Sequence, residues 1–384
     1  MLYTIFFTTF LLSLFGKYAI NNKSNNATYY LSMLVPLIFI SIMLGARFGW
    51  ATDYMDYFRI YENKLYENYE LLFKGLNDSL HLLNAPFPFA FISYCFLFFL
   101  GVIVLLSNFK EVAYISFPLL VYLSFFGCSN LIRFHIALGF VLIAIHYLLN
   151  NSWKLFIVFA IFAILTHTGS IILLFAIALI KGSKKTNRIL TNIRIIIPLF
   201  CVSCLLNAEM FTNIISAIVD LISSKTSLNT LTVSRYLTDS EIQKKYFETI
   251  RYETFFNRDK AIYYYFIHVY YLFSILILGN LINKKAKIKN FDFIYSVYVF
   301  GCLLTIPFWG NELMMRLTSF FVYFSSIILA SGIHLVIKNR IKLVPINLVL
   351  LFFSALSFAY LFIYGTIKGL YNDFDILFVW DIII

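Results

Sequence analysis

The chain has 384 residues, of which 61% are hydrophobic, 20% aromatic and only 13% charged, and its mean hydropathy is +0.83. Water-soluble domains carry about 45–50% apolar and about 25% charged residues, so a soluble enzyme, a nucleic-acid-binding module and a disordered linker are all excluded. The net charge is +11, and in so apolar a chain the placement of the charges says more than their sum.

Because a membrane span needs about 20 residues, the composition predicts an all-α integral membrane protein, one polytopic domain over 1–384 with about 10–12 transmembrane helices. Apolar runs fall in chain order at 2–20, 28–45, 86–106, 112–127, 131–149, 194–208, 261–283, 291–309, 313–336 and 342–366. The first run lacks a basic leader and a small-residue cleavage site, and reads as a retained span. Segment 153–181 is too long for one upright span and carries Thr166, His167, Thr168, Gly169 and Ser170 at its middle. It is expected to be a hairpin of two short helices turning at His167. With that hairpin, alternating loops put sixteen of the thirty Lys and Arg, but two of the nineteen Asp and Glu, on the cytoplasmic side, as the positive-inside rule requires. Both termini and the two long polar segments, 46–85 and 209–260, then lie on the outer face.

Polar groups at membrane depth are disfavoured by roughly 3 kcal/mol each and mark function by default. Arg47, Thr52, Asp53, Tyr54, Asp56 and Tyr57 follow the second run; Asn130, Arg133 and His135 open the fifth; His167 and Ser170 lie at the hairpin turn; Glu312 and Arg316 open the span at 313–336. All four stretches are expected at one level of the outer face. Arg47 alone is equally readable as an interfacial anchor reaching for lipid headgroups. His81, His135, His146, His268 and His334 are read as structural. Cys95, Cys128, Cys201, Cys204 and Cys302 lie in or beside apolar runs and read as packing residues, since metal and redox work needs accessible thiolates. No metal and no cofactor are expected.

Arginines gathered with a histidine and few carboxylates suit a diphosphate, because the guanidinium fork pairs two phosphate oxygens and keeps its charge. No nucleotide sugar is at hand on the outer face, so a lipid-linked donor is the fitting partner. The loop 209–260 includes Arg235, Arg251 and the tyrosines Tyr236, Tyr246 and Tyr252. It reads either as a lid whose rings stack on sugars or as a solvated loop.

These motifs carry a resemblance. The stretch Arg47-x-Gly49-x-x-Thr52-Asp53-Tyr54-x-x-Tyr57, then Asn130-x-x-Arg133-x-x-x-Ala137, the hairpin Ala163-x-x-x-His167-x-x-Ser170, and Arg316 opening a late span resemble, in order, the signatures of the EpsG family, which belongs with the Wzy-type polymerases of bacterial O-antigen, capsule and exopolysaccharide. The resemblance implies a multi-pass protein of the bacterial inner membrane. Its implied reaction moves a glycan from undecaprenyl diphosphate onto another lipid-linked repeat unit, with a chain-length regulator as a further partner. Arg133 and Arg316 are the expected catalytic cations. Arg47, Thr52, Tyr54, Tyr57, Asn130, Arg235 and Arg251 are expected to bind substrate, and either His167 or Asp53 to serve as base. A flippase of lipid-linked glycan and a ligase to a different acceptor are the competing readings.

Overall fold

A computed structural model of the protein describes residues 2–19, 26–48, 53–206, 258–286, 288–308, 312–338 and 377–378. Every expected apolar run that falls on these residues is helical; the run at 342–366 and nearly all of 209–260 lie outside them. The chain divides into two compact units, one of residues 1–182, 333–338 and 373–384 and the other of 183–332 and 339–372.

The first unit holds α1 (Leu2–Ala19), α2 (Asn26–Gly45), α3 (Tyr54–Glu62), α4 (Leu71–Leu82), α5 (Phe87–Leu106), α6 (Lys110–Asn130), α7 (Ile132–Leu149), α8 (Trp153–Thr166) and α9 (Ser170–Gly182). Glycines set its tightest crossings. A Cβ on Gly101 of α5 would sit 2.2 Å from the Gly139 carbonyl oxygen of α7, and one on Gly45 of α2 would meet the Ile92 backbone of α5 at 2.4 Å. Only residues without a side chain let helix backbones come this close, and dispersion contacts then replace the hydrophobic drive that lipid removes. The hydroxyls of Thr9, Ser13, Ser41 and Ser124 each donate to the carbonyl four residues back, so they are buried without an unmet donor.

By length and composition, five described helical runs can cross a membrane, or six if the bent pair after Gly182 forms one span. The expected ten to twelve cover the whole chain, including the run at 342–366 that lies outside the described residues. Four apolar helices are shorter than a full crossing, and Phe87–Phe125 registers as one continuous run. That run nevertheless folds back at the tight turn Ser107–Phe109: the Phe99 and Phe117 rings are 6.2 Å apart, where a straight helix would separate them by about 27 Å. Segment 153–181 is α8 and α9 with a turn at 167–169, and α9 packs back on both α7 and α8.

Polar segment 46–85 is more ordered than a solvated loop. It forms α3 and α4, both amphipathic, and turns their aromatic faces inward. His81 stacks on Tyr61 at 4.2 Å and its Nε2 lies 3.0 Å from the Tyr61 carbonyl. The Tyr61 hydroxyl donates to the Ala85 carbonyl at 2.6 Å, and Tyr94 of α5 donates to the buried Asn77 of α4. One short pairing adds to the helical architecture: β1 (Arg47–Phe48) runs antiparallel to β2 (Leu377–Phe378), with Arg47 opposite Phe378.

In the second unit, α10 (Lys184–Thr191) meets α11 (Ile193–Leu205) at a bend of 77°. Asn192 makes this break, its side chain accepting the Arg194 N–H at 3.1 Å as an N-cap. The unit continues with α12 (Arg258–Lys285), α13 (Phe291–Thr305) and α14 (Glu312–Val322). α15 (Ser325–Ile337) then ends in residues assigned to the first unit. Tyr295 and Tyr298 of α13 donate to the Leu276 and Leu272 carbonyls of α12, and Tyr271 donates to Ser325. Large apolar side chains stay exposed, among them Phe7, Phe15, Leu31, Ile171, Ile172, Phe175 and Leu205. Lipid, not water, solvates such a surface, and the protein is a multi-pass membrane protein.

Candidate functional site

One end of the first unit gathers basic residues. Lys17 lies over the Tyr114 ring at 3.9 Å, Lys110 donates to Asn26 at 2.6 Å, and Lys338 and His334 both reach Glu111. His146 sits at the same end among Ser107 and Asn108, 2.8 Å from the latter, which accounts for its place at the foot of α7. The opposite end carries the candidate site, because α7 begins there, α8 ends there and α3 and α4 cover it.

Arg133 stands in the first turn of α7. Its guanidinium donates to Glu70 Oε2 at 2.8 Å and lies over the Tyr69 ring at 4.1 Å, with the Tyr57 hydroxyl in hydrogen-bonding reach. The pair is neither surface nor core, since 23% of the Arg133 side chain and 18% of the Glu70 side chain remain exposed. The Arg133 Nε is buried and makes no hydrogen bond among the described residues. Glu70 precedes α4 in extended backbone, and its second oxygen, Oε1, accepts the Thr168 N–H at 3.3 Å. One carboxylate therefore joins α4, the start of α7 and the α8–α9 turn.

The turn has its own geometry. The Gly169 N–H donates to His167 Nδ1 at 3.0 Å, so that nitrogen carries a lone pair and a neutral ring holds its proton on Nε2. The His167 ring meets Phe134 edge to face at 5.5 Å. Ser170 opens α9 with a fully buried hydroxyl that makes no hydrogen bond among the described residues.

Arg47 is 1% exposed. Its guanidinium packs 4.8 Å from the Phe91 ring and 6.0 Å from that of Tyr54, a buried cation–π seat and not an anchor at the membrane surface. Tyr54 is itself buried against Phe87 and Phe91, and burial pushes its hydroxyl up to about 12 despite the nearby Arg47. Asp53 is half-buried in the residue before α3, and its carbonyl accepts the Tyr57 N–H at 3.1 Å. The structure thus brings together the Tyr54–Tyr57 segment, Arg133 and His167. Arg316 is half-buried on α14 and belongs to the second unit. Asn130 ends α6, whereas Thr52, Arg235 and Arg251 lie outside the described residues. His135 is buried with Nδ1 3.0 Å from the Leu131 carbonyl, a satisfied helix histidine. Among the described residues no three His, Cys, Asp or Glu side chains group as a metal site would need.

Glu70 is the participant that sequence reasoning misses. It is one of six acidic residues in 46–85, and nothing in the local spacing separates it from the other five.

The model of the EpsG family matches residues 29–373 of this chain. No curated protein and no solved structure matches it.

Proposed function

Because the chain belongs to the EpsG family, we propose that it is a polysaccharide polymerase of the bacterial inner membrane, joining lipid-linked repeat units at the outer face. The observation that carries this reading is a partly exposed arginine, Arg133, fixed by Glu70 and Tyr69 beside the His167 turn, at the end of the unit opposite to Lys17, Lys110 and Lys338. The positive-inside rule assigns the lysine end to the cytoplasm, which leaves the site outside, where a donor must be lipid-linked.

In the proposed reaction an acceptor hydroxyl oxygen bonds to the anomeric carbon as the bond from that carbon to the diphosphate oxygen breaks. The electron pair leaves with undecaprenyl diphosphate, and the hydroxyl proton passes to a base. Arg133 neutralises charge that grows on the diphosphate, a contribution made mainly in the transition state. His167, whose Nδ1 accepts the Gly169 N–H, and Asp53 are the two groups proposed to take that proton. Tyr57, within hydrogen-bonding reach of Arg133, belongs to the donor pocket. Arg47 and Tyr54 act behind it by seating β1 and α3.

The test is complementation of a host lacking its own polymerase, comparing wild type with Arg133→Ala, Arg316→Ala and His167→Ala at matched membrane levels. A glycan ladder from wild type that collapses to single units in the variants is expected. Lipid-linked units trapped inside the cell would instead identify a flippase, and single units exported by wild type itself would identify a ligase.

A further inference from the structure

Glu70 holds Arg133 through one oxygen and the Thr168 amide through the other. This is how a phosphate would be held, with two oxygens of one anion divided between a guanidinium and a backbone N–H at the entrance to a helix. The site keeps further unused donors for a larger anion, since the Arg133 Nε and the fully buried Ser170 hydroxyl make no hydrogen bond among the described residues. The carboxylate arrives on a short lever, because Glu70 is the residue from which α4 starts and the segment before it, 63–70, contains no helix.

We infer that Glu70 is a built-in occupant of an anion site: in this structure its carboxylate sits where a diphosphate group of the substrate binds, and the substrate enters by displacing it. The inference rests on the reading of this end as the donor site, and adds that the site is closed by its own chain until a diphosphate arrives. Glu70 occupies the Arg133 terminal N–H and the Thr168 N–H that a diphosphate would use, and like charges at contact distance repel, so the two compete directly. The displaced carboxylate does not become a stray buried charge, because the start of α4 borders the exposed residues Glu67 and Asn68 and can turn to water. Such an arrangement keeps Arg133 paired while the site is empty, which avoids the large penalty of an uncompensated charge.

The test uses the purified full-length protein in detergent and inorganic pyrophosphate as probe, with binding read by titration calorimetry. Glu70→Gln, which keeps shape and removes charge, is expected to bind pyrophosphate about tenfold more tightly than wild type, and Arg133→Ala to lose binding. Unchanged or weaker binding in Glu70→Gln overturns the proposal and leaves Glu70 as a fixed partner of Arg133. If Glu70→Gln does not fold, hydrogen exchange on the wild type decides: pyrophosphate should speed exchange in the first turn of α4, and no change there sinks the idea. Repeating the titration in phosphatidylglycerol nanodiscs separates the two sources of phosphate. Retained binding supports a substrate diphosphate, whereas binding abolished there assigns the site to a lipid headgroup. None of these readouts depends on polymer formation, so a failure of the polymerase reading and a failure of this inference are distinguishable.

Discussion

Arg133 and Glu70 meet at 2.8 Å although 63 residues separate them in the chain. The first opens a membrane helix; the second precedes a short helix of a polar segment. Their pairing ties that segment to the bundle, and through Thr168 to the α8–α9 turn.

Arg133→Lys should therefore behave differently from a conservative change. Lysine keeps the charge but not the planar fork, so it can hold Glu70 or a phosphate oxygen but not two at defined angles. Polymer yield is expected to fall on the order of 10²-fold, with protein level near wild type. Arg133→Ala removes the charge as well, and a larger fall in yield is expected at a protein level near wild type. Immunoblots beside glycan gels check both.

His167 has two nitrogens with separate duties. Asn at this position places its carbonyl oxygen near the site of Nδ1 and can still accept the Gly169 N–H, whereas Gln reaches toward the site of Nε2. His167→Asn is expected to keep the thermal midpoint and lose activity. His167→Gln should lose about 1 kcal/mol of stability along with the turn's hydrogen bond. Thermal unfolding in detergent and the glycan ladder read the two effects separately, and equal damage from both variants would argue against the tautomer assigned here.

The α5–α7 crossing leaves no room for a methyl group. A Cβ on Gly139 would stand 2.7 Å from the Leu97 carbonyl oxygen, which is backbone and cannot rotate away. Gly139→Ala is expected to destabilise by about 1–3 kcal/mol. Gly75→Ala on α4, where a Cβ meets nothing within 4 Å, should stabilise by about 1 kcal/mol through helix propensity. Opposite shifts in the thermal midpoint are the expected result.

Two tyrosines of segment 46–85 set an alkaline limit. Burial is the main cause pushing both Tyr54 and Tyr66 up to about 12, so each stays protonated in the fold after it would ionise in an unfolded chain. A raised pKa means that the stabilisation is complete below about pH 10 and is lost as pH rises toward about 12. Absorbance at 295 nm during an alkaline titration should show these phenols ionising late. Tyr54→Phe should remove one of the late transitions.

The sequence alone determined that this is a helical membrane protein, because apolar runs of about 20 residues have no other stable use. It placed the helical runs along the chain, the break at His167 and the polar residues Arg133 and His167, costly in lipid and expected together at one level of one face. Helix length and pairing were less legible. The fold-back at Ser107–Phe109 falls where the expected runs 86–106 and 112–127 part, but the seat of Arg47 depends on Phe91, which lies on a different helix. Glu70 was invisible for a related reason: in a polar segment a carboxylate carries no cost that marks it. Its significance arises only from what α7 and the α8–α9 turn bring within hydrogen-bonding distance. Composition and periodicity report the solvent that each segment prefers, whereas the contents of the site depend on contacts between segments far apart in sequence, and only tertiary packing decides those.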